Sequence, residues 1–307
     1  MAIGAAGPLT LAQGALADGS LIAPAGAIAG AQLTHLLEVT ALTMIAVLPV
    51  LVPLILWRYR YGNARARYAP GWGESRGLDL VMWGVPFAII AVAGFLLWRS
   101  THALDPYRPI EAALPPTRVQ VVGLDWKWLF IYPDAGIATV GEMAFPADRP
   151  VALDLTSDTV MQSFMIGALG GQIYAMAGMR TQLHLAADGP GEFRGENMQY
   201  SGEGFHTQKF RALALDEADH RAWLEGVRAV AAPLDAATYA RLAERGTKDD
   251  LRRQFPGAVT ASGAIAFRPT GPDLFQTVLD RYRARRPVPP AAQPGAPAFR
   301  ATPEVAQ

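Results

Sequence analysis

The sequence predicts a two-helix transmembrane hairpin followed by a β-sandwich and short C-terminal helices. Three observations predict this fold class: two uncharged apolar runs near the start of the chain, short alternating apolar runs in the middle, and helical periodicity towards the end. Of the 307 residues, 51% are hydrophobic and 18% are charged. Because that balance is apolar for a chain of this length, membrane segments are the first feature to test.

Two apolar runs are long enough to span a bilayer. Residues 39–57 and 80–98 contain no charged side chain, and each is close to the roughly 20 apolar residues that a bilayer core requires. Their internal prolines are tolerated in membrane helices when neighbouring protein satisfies the freed backbone groups. We therefore assign residues 33–100 to a two-helix transmembrane domain. The alternative is a pair of buried core helices.

The charges between the two runs predict the orientation of the hairpin. The connecting segment carries a single acid, Glu74, and the arginines Arg58, Arg60, Arg65, Arg67 and Arg76. Since short loops rich in arginine stay on the cytoplasmic side, this loop is expected to be cytoplasmic. Both termini, and the large domain after the second run, are then expected on the opposite side of the membrane.

Composition divides the rest of the chain. Residues 1–32 have no lysine or arginine and so lack the charged start of a secretory signal; we expect a leader or an extracytoplasmic segment. Residues 101–216 carry the alternating runs of the sandwich, and residues 217–284 have the spacing of short surface helices. Residues 285–307 are rich in proline and alanine, which predicts a disordered tail.

Several classes of function lack the residues they need. The chain has no cysteine, so disulfides, thiolate metal sites and cysteine-linked lipids are excluded. A net charge of zero gives no argument for nucleic-acid binding. The sequence contains no phosphate-binding glycine loop, HExxH motif or nucleophile elbow, and a stand-alone enzyme is therefore the least supported class.

Several motifs resemble subunit II of the haem-copper oxidases. They are the aromatic-rich stretch LDWKWLFIYPDAGIATVGEMAFPADRPV, the region that begins TVMQSF and continues through GGQIYAMAGM, and the segments THALDP and PDLFQTVLDRY. The last two are similar to the quinol-oxidase branch, of the cytochrome bo type. The resemblance covers residues 33–284, and it implies a cupredoxin-like fold for the predicted sandwich.

The resemblance also implies that the copper site of the family is lost. In the cytochrome c branch this domain holds two coppers through two cysteines, two histidines, a methionine and a carbonyl. Here the first histidine is replaced by Gln162, and His206 falls near the second. Without thiolates the centre cannot form. No metal or other cofactor is expected in this chain, and the haems and copper are expected in the large partner subunit.

The function implied is that of a non-redox subunit II in a proton-pumping terminal oxidase. The complex would oxidise ubiquinol and reduce oxygen to water, with a haem-copper subunit I, further small membrane subunits and the bacterial inner membrane as partners. This chain alone would not be catalytic. The alternative is a membrane-tethered periplasmic binding or copper-chaperone module, since Met176 and Met179 offer soft ligands.

Asp79 is the candidate for a part in proton movement. A carboxylate at a membrane boundary can exchange protons with water. The family has a carboxylate four residues before the tryptophan of the second span, at the entrance of a proton path, and Asp79 precedes Trp83 by that spacing. The competing interpretation is an acid that only stabilises the helix N-terminus.

Four residues are candidates for contact with the large subunit. Trp126 and Trp128 alternate with Tyr132 along one predicted strand and should therefore share a face that packs against a partner. Gln172 and Tyr174 lie in the loop region that, by the resemblance, makes polar contact with the large subunit.

Overall fold

A computed structural model of the chain describes residues 22–61, 75–147, 149–271, 273–284, 288–294, 296 and 298–299. Most of the predicted leader and of the arginine-rich loop lies outside these residues. The chain divides into two compact units, one formed by residues 31–105 and the other by residues 1–30 with 106–307.

The smaller unit contains the two long apolar helices. Helix α1 runs over Ala27–Tyr61 and helix α2 over Arg76–Ala103, and they include the predicted spans. Both are long and apolar enough to cross a membrane, and none of their most apolar window is buried within the chain. Apolar helices that find no cover in their own chain are those expected to face lipid or a partner. The two predicted apolar helices are confirmed.

The larger unit is a β-sandwich whose twelve described strands form two sheets. The first sheet has the order β11-β12-β3-β2-β1-β5-β8 and the second the order β4-β10-β9-β6-β7. In chain order the strands are β1 Thr117–Leu124, β2 Lys127–Tyr132, β3 Ile137–Val140, β4 Glu142–Pro146, β5 Val151–Ser157, β6 Gln162–Ile166, β7 Gln172–Ala175, β8 Thr181–Leu185, β9 Gly191–Asn197, β10 Lys209–Leu215, β11 Ala232–Leu234 and β12 Ile265–Pro269.

The sheets pack face to face around an aromatic core. Alternate residues of β2 point into it, so Trp128, Phe130 and Tyr132 lie together in one cluster. Phe164 of β6 closes the core from the opposite sheet, with ring centroids 5.3 Å from Trp128 and 6.4 Å from Phe130. The β-sandwich predicted from the alternating runs is confirmed.

A second core covers the outer face of the seven-stranded sheet. The other alternate residues of β2, Leu129 and Ile131, are buried there against the segment after residue 231. The chain after residue 216 forms the helices α3 Glu217–Val230, α4 Ala236–Ala243, α5 Lys248–Gln254 and α6 Leu274–Arg283. Helix α3 packs on the first core through Val227, and the other three helices contribute to the second core. Because β2 is buried on both faces, its sequence is almost continuously apolar, as in sheets covered on both sides.

The C-terminal extension therefore differs from the predicted set of surface helices. It also contributes two strands of the seven-stranded sheet: β12 pairs with β3, and β11 pairs with β12 and forms the edge. Part of the segment for which composition predicts disorder is packed as well, since Phe299 is only 6% exposed and lies in the second core. Helical spacing in short, alanine-rich pieces does not reveal that one face will pack on a sheet, and the periodicity therefore predicts surface helices.

Residues just before α1 are attached to the sandwich. The Ala25 amide donates to the Ala168 carbonyl at 2.7 Å, and the Ala25 carbonyl accepts from the Asp188 amide at 2.9 Å. Gly26 lies so close to the Ala186 carbonyl that a Cβ there would be 2.3 Å from its oxygen. The last residues of the predicted leader are thus part of the folded unit.

Candidate functional site

A network of buried amide side chains occupies one end of the sandwich. Gln162, the first residue of β6, donates from Nε2 to the Leu124 carbonyl at 3.0 Å and to Thr159 Oγ1 at 3.1 Å. Its Oε1 accepts from Gln208 Nε2 at 2.5 Å. Both glutamines are fully buried. Buried amides persist when their donors and acceptors are paired, as these are.

The network continues from Gln208 to a third amide. Gln208 Oε1 accepts from Asn197 Nδ2 at 2.9 Å, and Asn197 Oδ1 accepts from the Ser163 amide at 2.8 Å. These contacts join β6, β9 and the residue before β10. The cross-link is neutral, and it consists of the oxygen and nitrogen atoms of carboxamides.

This set of donors does not fit the two-copper centre of the copper-bearing branch. That centre needs soft thiolates, and the chain has no cysteine. Among the described residues there is also no group of three or more His, Asp or Glu side chains placed to hold a metal ion. What the arrangement can do is hold β6, β9 and the start of β10 together without a charge.

His206 is not the partner of Gln162. It lies exposed in the 3-10 turn Phe205–Thr207, with Nδ1 3.2 Å from the Glu203 carbonyl oxygen. The side chain that reaches Gln162 is Gln208, two residues further along. Sequence reasoning missed Gln208 and Asn197 because isolated amides in a glycine-rich stretch resemble ordinary solvated loop residues. A buried position cannot be read from such a stretch.

Trp126 lies in the turn between β1 and β2 rather than in a strand. Its φ of 65° is in the left-handed region, which is uncommon for a bulky residue. The indole Nε1 donates to the Ser201 carbonyl at 3.2 Å, and the ring packs against Gly204, where a Cβ would lie 2.1 Å from Cδ2. The prediction that Trp126 shares a strand face with Trp128 was therefore wrong.

Trp128 is unavailable to a partner subunit. It is 2% exposed, and it packs inside the sandwich with Tyr132 in the same cluster. These two residues do share a face, as the alternation predicts, but that face is the internal core. The correction has a simple cause: alternation shows which side chains lie together, and it does not show which face of a sheet is covered.

Gln172 and Tyr174 are exposed on β7, an edge strand of the five-stranded sheet. Tyr174 is 43% exposed and pairs in register with Ser163, whose carbonyl accepts from the Met198 amide at 2.9 Å. Exposed apolar side chains continue around this end of the sheet. We call this group the end surface; its members are Val160, Met161, Tyr174, Met198 and Tyr200.

Asp79 lies in the first turn of α2, and its side chain is exposed within the chain. The helix is capped by Ser75, whose Oγ accepts from the Leu78 amide at 3.3 Å, and the Asp79 amide donates to the Ser75 carbonyl at 2.9 Å. Ser75 supplies the capping hydrogen bond, and a carboxylate in the first turn adds a favourable interaction with the helix dipole. The part that Asp79 plays in proton movement stays a prediction.

Relatives cover most of the chain. It is 46% identical to the cytochrome bo(3) ubiquinol oxidase subunit 2 of Pseudomonas aeruginosa over 86% of this chain and 77% of that protein. Identity is 41% with the protein of the same name in Pseudomonas putida, over 86% and 80%. It is 40% with ubiquinol oxidase subunit 2 of Acetobacter aceti, over 84% and 81%. No family model matches.

Solved structures include a weaker likeness. The periplasmic domain of subunit II of cytochrome oxidase from Bradyrhizobium japonicum is 20% identical with a TM-score of 0.36, over 38% of this chain and 95% of that one.

The relatives confirm the resemblance drawn from the motifs. Matches of 40–46% identity cover 84–86% of the chain, and all three relatives are named as subunit 2 of a ubiquinol oxidase. The cupredoxin-like fold class expected from that resemblance agrees with the two-sheet sandwich. The tethered binding or copper-chaperone module finds no support among them. The chain belongs to the ubiquinol oxidase subunit 2 family.

Proposed function

We propose that this chain is the metal-free second subunit of a membrane complex that oxidises ubiquinol, reduces oxygen to water and pumps protons. The haems and copper belong to a haem-copper large subunit, accompanied by further small membrane subunits. The observation that carries the proposal is the neutral amide network of Gln162, Gln208 and Asn197 in the region where the copper-bearing branch holds its metal. The names of the relatives support the substrate.

The chemistry of the electron donor explains why no metal is needed here. A soluble cytochrome must deliver single electrons from outside the membrane, so its acceptor has to lie in the extracytoplasmic domain. A lipid-soluble quinol reaches the large subunit from within the bilayer. The sandwich is then free to serve as a structural part of the complex.

The anchor and its orientation follow from the two apolar helices. We place the chain in the bacterial inner membrane with the sandwich and both termini on the periplasmic side. Arg58 and Arg60 at the end of α1 and Arg76 at the start of α2 support a cytoplasmic connection between the helices.

The end surface is the part of the sandwich best suited to contact the large subunit. Its exposed aromatic and methionine side chains are of the types enriched at protein interfaces. Gln172 is exposed two residues before Tyr174, and the partly accessible Trp126 donates to the carbonyl of Ser201, the residue after Tyr200, which keeps both as contact candidates. Trp128 is removed from that group because it is buried.

Purification under mild detergent tests the proposed function. The full chain is isolated from its native membrane by a tag, followed by optical spectra, copper analysis and oxygen consumption with ubiquinol or reduced cytochrome c. The expected result is a haem-containing partner that oxidises quinol and not cytochrome c, without a two-copper near-infrared band. A chain that emerges alone, without haem, would contradict the proposal.

The role of Asp79 has its own test in the assembled complex. Replacing Asp79→Asn removes the ionisable group and keeps the size, and Asp79→Glu retains the carboxylate. We expect the Asn variant to lose oxidase turnover and proton uptake while the Glu variant keeps both. Normal turnover of a normally assembled Asn variant would show that Asp79 only orients the helix.

A further inference from the structure

The C-terminal extension is tied to the same end of the sandwich that carries the end surface. Lys127 Nζ, at the start of β2, donates to the Glu244 carbonyl at 2.6 Å. In the turn before it, Asp125 Oδ2 lies 3.2 Å from Arg245 Nε. Both contacts join the β1–β2 turn region to the segment between α4 and α5. The extension therefore contacts a loop at the end of the sheet as well as the face of the sheet.

A third contact, centred on Asp158, is buried. The Asp158 side chain is 0% exposed, and Arg281 Nη1 lies 2.7 and 2.6 Å from its two oxygens. Tyr239 donates its hydroxyl to Oδ2 at 2.6 Å, and the Tyr282 hydroxyl donates to the Asp158 carbonyl at 2.8 Å. A buried carboxylate is tolerable only with such partners, because an unpaired buried charge is strongly destabilising.

Asp158 lies in the short segment 157–160, which ends at Val160 of the end surface. Its amide donates to the Gly123 carbonyl at 3.0 Å, and the neighbouring Ser157 Oγ donates to the Val160 carbonyl at 2.7 Å. The side chain of Val160 is nevertheless 53% exposed. An exposed apolar side chain on an anchored backbone is pre-organised for binding, since little conformational entropy remains to be lost.

The groups that anchor this end lie close together. One cavity is lined by Asp125 and Arg245 from the first ion pair, Val160 from the end surface, Ser201 from the loop that holds Trp126, and Tyr282 from α6. In the copper-bearing branch a metal would cross-link loops of this region. Here the described residues that cross-link this region are the amide network and the side chains of the extension.

We propose that Asp158 and Arg281 are positioning residues, through which the C-terminal extension holds the end surface in the shape that docks on the large subunit. The proposal rests on the proposed function, because it takes the large subunit as the partner. The occupant is the extramembrane surface of the large subunit: the relatives are named as second subunits of an oxidase, and the exposed methionine and aromatic side chains of the end surface are types enriched at interfaces between proteins.

The test compares Arg281→Met with a control that weakens the extension elsewhere. Leu251→Ala truncates a buried residue of the second core on α5 that is not among the hydrogen-bond partners of Asp158. Tyr239→Phe is a milder variant that removes only the hydroxyl that donates a hydrogen bond to Asp158. Each full-length variant is expressed with its native membrane partners, and the melting temperature, the haem co-purified per folded chain and hydrogen exchange are measured.

Arg281→Met should accelerate exchange at residues 158–162 by about tenfold or more, because breaking a buried ion pair releases the local structure it held. It should also reduce the co-purified haem several-fold. Tyr239→Phe should change both the exchange rate and the co-purified haem in the same direction, but by less. Leu251→Ala should lower the melting temperature while leaving haem and exchange at 158–162 unchanged. If the residues only stabilise the fold, the loss of co-purified haem will be proportional to the decrease in melting temperature in all three variants. That result overturns the proposal.

Failure of the proposed function would look different. Wild-type chain that brings no haem contradicts membership of the complex, whatever the variants do. The positioning of the end surface is then decided by exchange alone, and equal exchange at 158–162 in Arg281→Met and Leu251→Ala overturns it.

Discussion

Lys127 gives a prediction of stability against pH. Its ammonium group is buried beneath the extension, and burial lowers its pKa from 10.5 to about 8, against the opposing effect of Asp125, Asp250 and Glu244. Since the unfolded chain holds the proton up to about pH 10.5, it binds more protons than the folded chain between pH 8 and 10.5. Stability contributed by this group must therefore rise with pH through that window.

The magnitude follows from the shift in pKa. Each unit corresponds to about 1.4 kcal/mol, so the full shift is worth roughly 3 kcal/mol, of which about 2–3 kcal/mol falls between pH 7 and 10. Lys127→Met removes the titrating group and keeps most of the chain of methylenes. The free energy of unfolding of the wild type, relative to Lys127→Met, should increase by this amount on going from pH 7 to 10.

The assay is urea unfolding of the full chain in mild detergent, followed by tryptophan fluorescence at several pH values. Tyrosines such as Tyr132 also titrate at high pH, but they are common to both proteins and cancel in the difference. Lys127→Arg serves as a second comparison, because arginine keeps its proton over the whole range. If the difference in free energy of unfolding between the wild type and Lys127→Met does not change between pH 7 and 10, the lowered pKa of Lys127 is refuted.

Two further predictions concern the region of the amide network. Gly204→Ala should destabilise the sandwich by about 1–3 kcal/mol and change the Trp126 fluorescence, because the new Cβ would lie 2.1 Å from the indole ring; Gly257→Ala, with open space around its Cα, is the matched control, and equal effects would contradict the packing. Gln208→Leu should cost about 1–3 kcal/mol by leaving the buried Gln162 Oε1 without its donor. An unchanged urea midpoint in that variant would show that the hydrogen bond contributes nothing.

The sequence predicts some features of the candidate site and not others. The exposed positions of Gln172 and Tyr174 agree with a contact surface, and the loss of the copper ligands is visible in the composition alone. Trp126 and Trp128 have the same residue type and adjacent alternate positions, yet one lies in a turn and the other in the core. The alternation of apolar residues cannot distinguish these two outcomes, because it does not show at which residue one strand ends and the next begins.

By itself the sequence determined the features that depend on local composition and length. The two uncharged runs are long enough for membrane helices, the alternating runs form a sandwich, and the absence of cysteine excludes a thiolate copper centre. Only the tertiary structure decided that the C-terminal extension covers the outer face of a sheet, and that Arg281 meets Asp158 across 123 residues of chain. Such contacts arise from packing between distant segments, and neither periodicity nor spacing encodes which segments will meet.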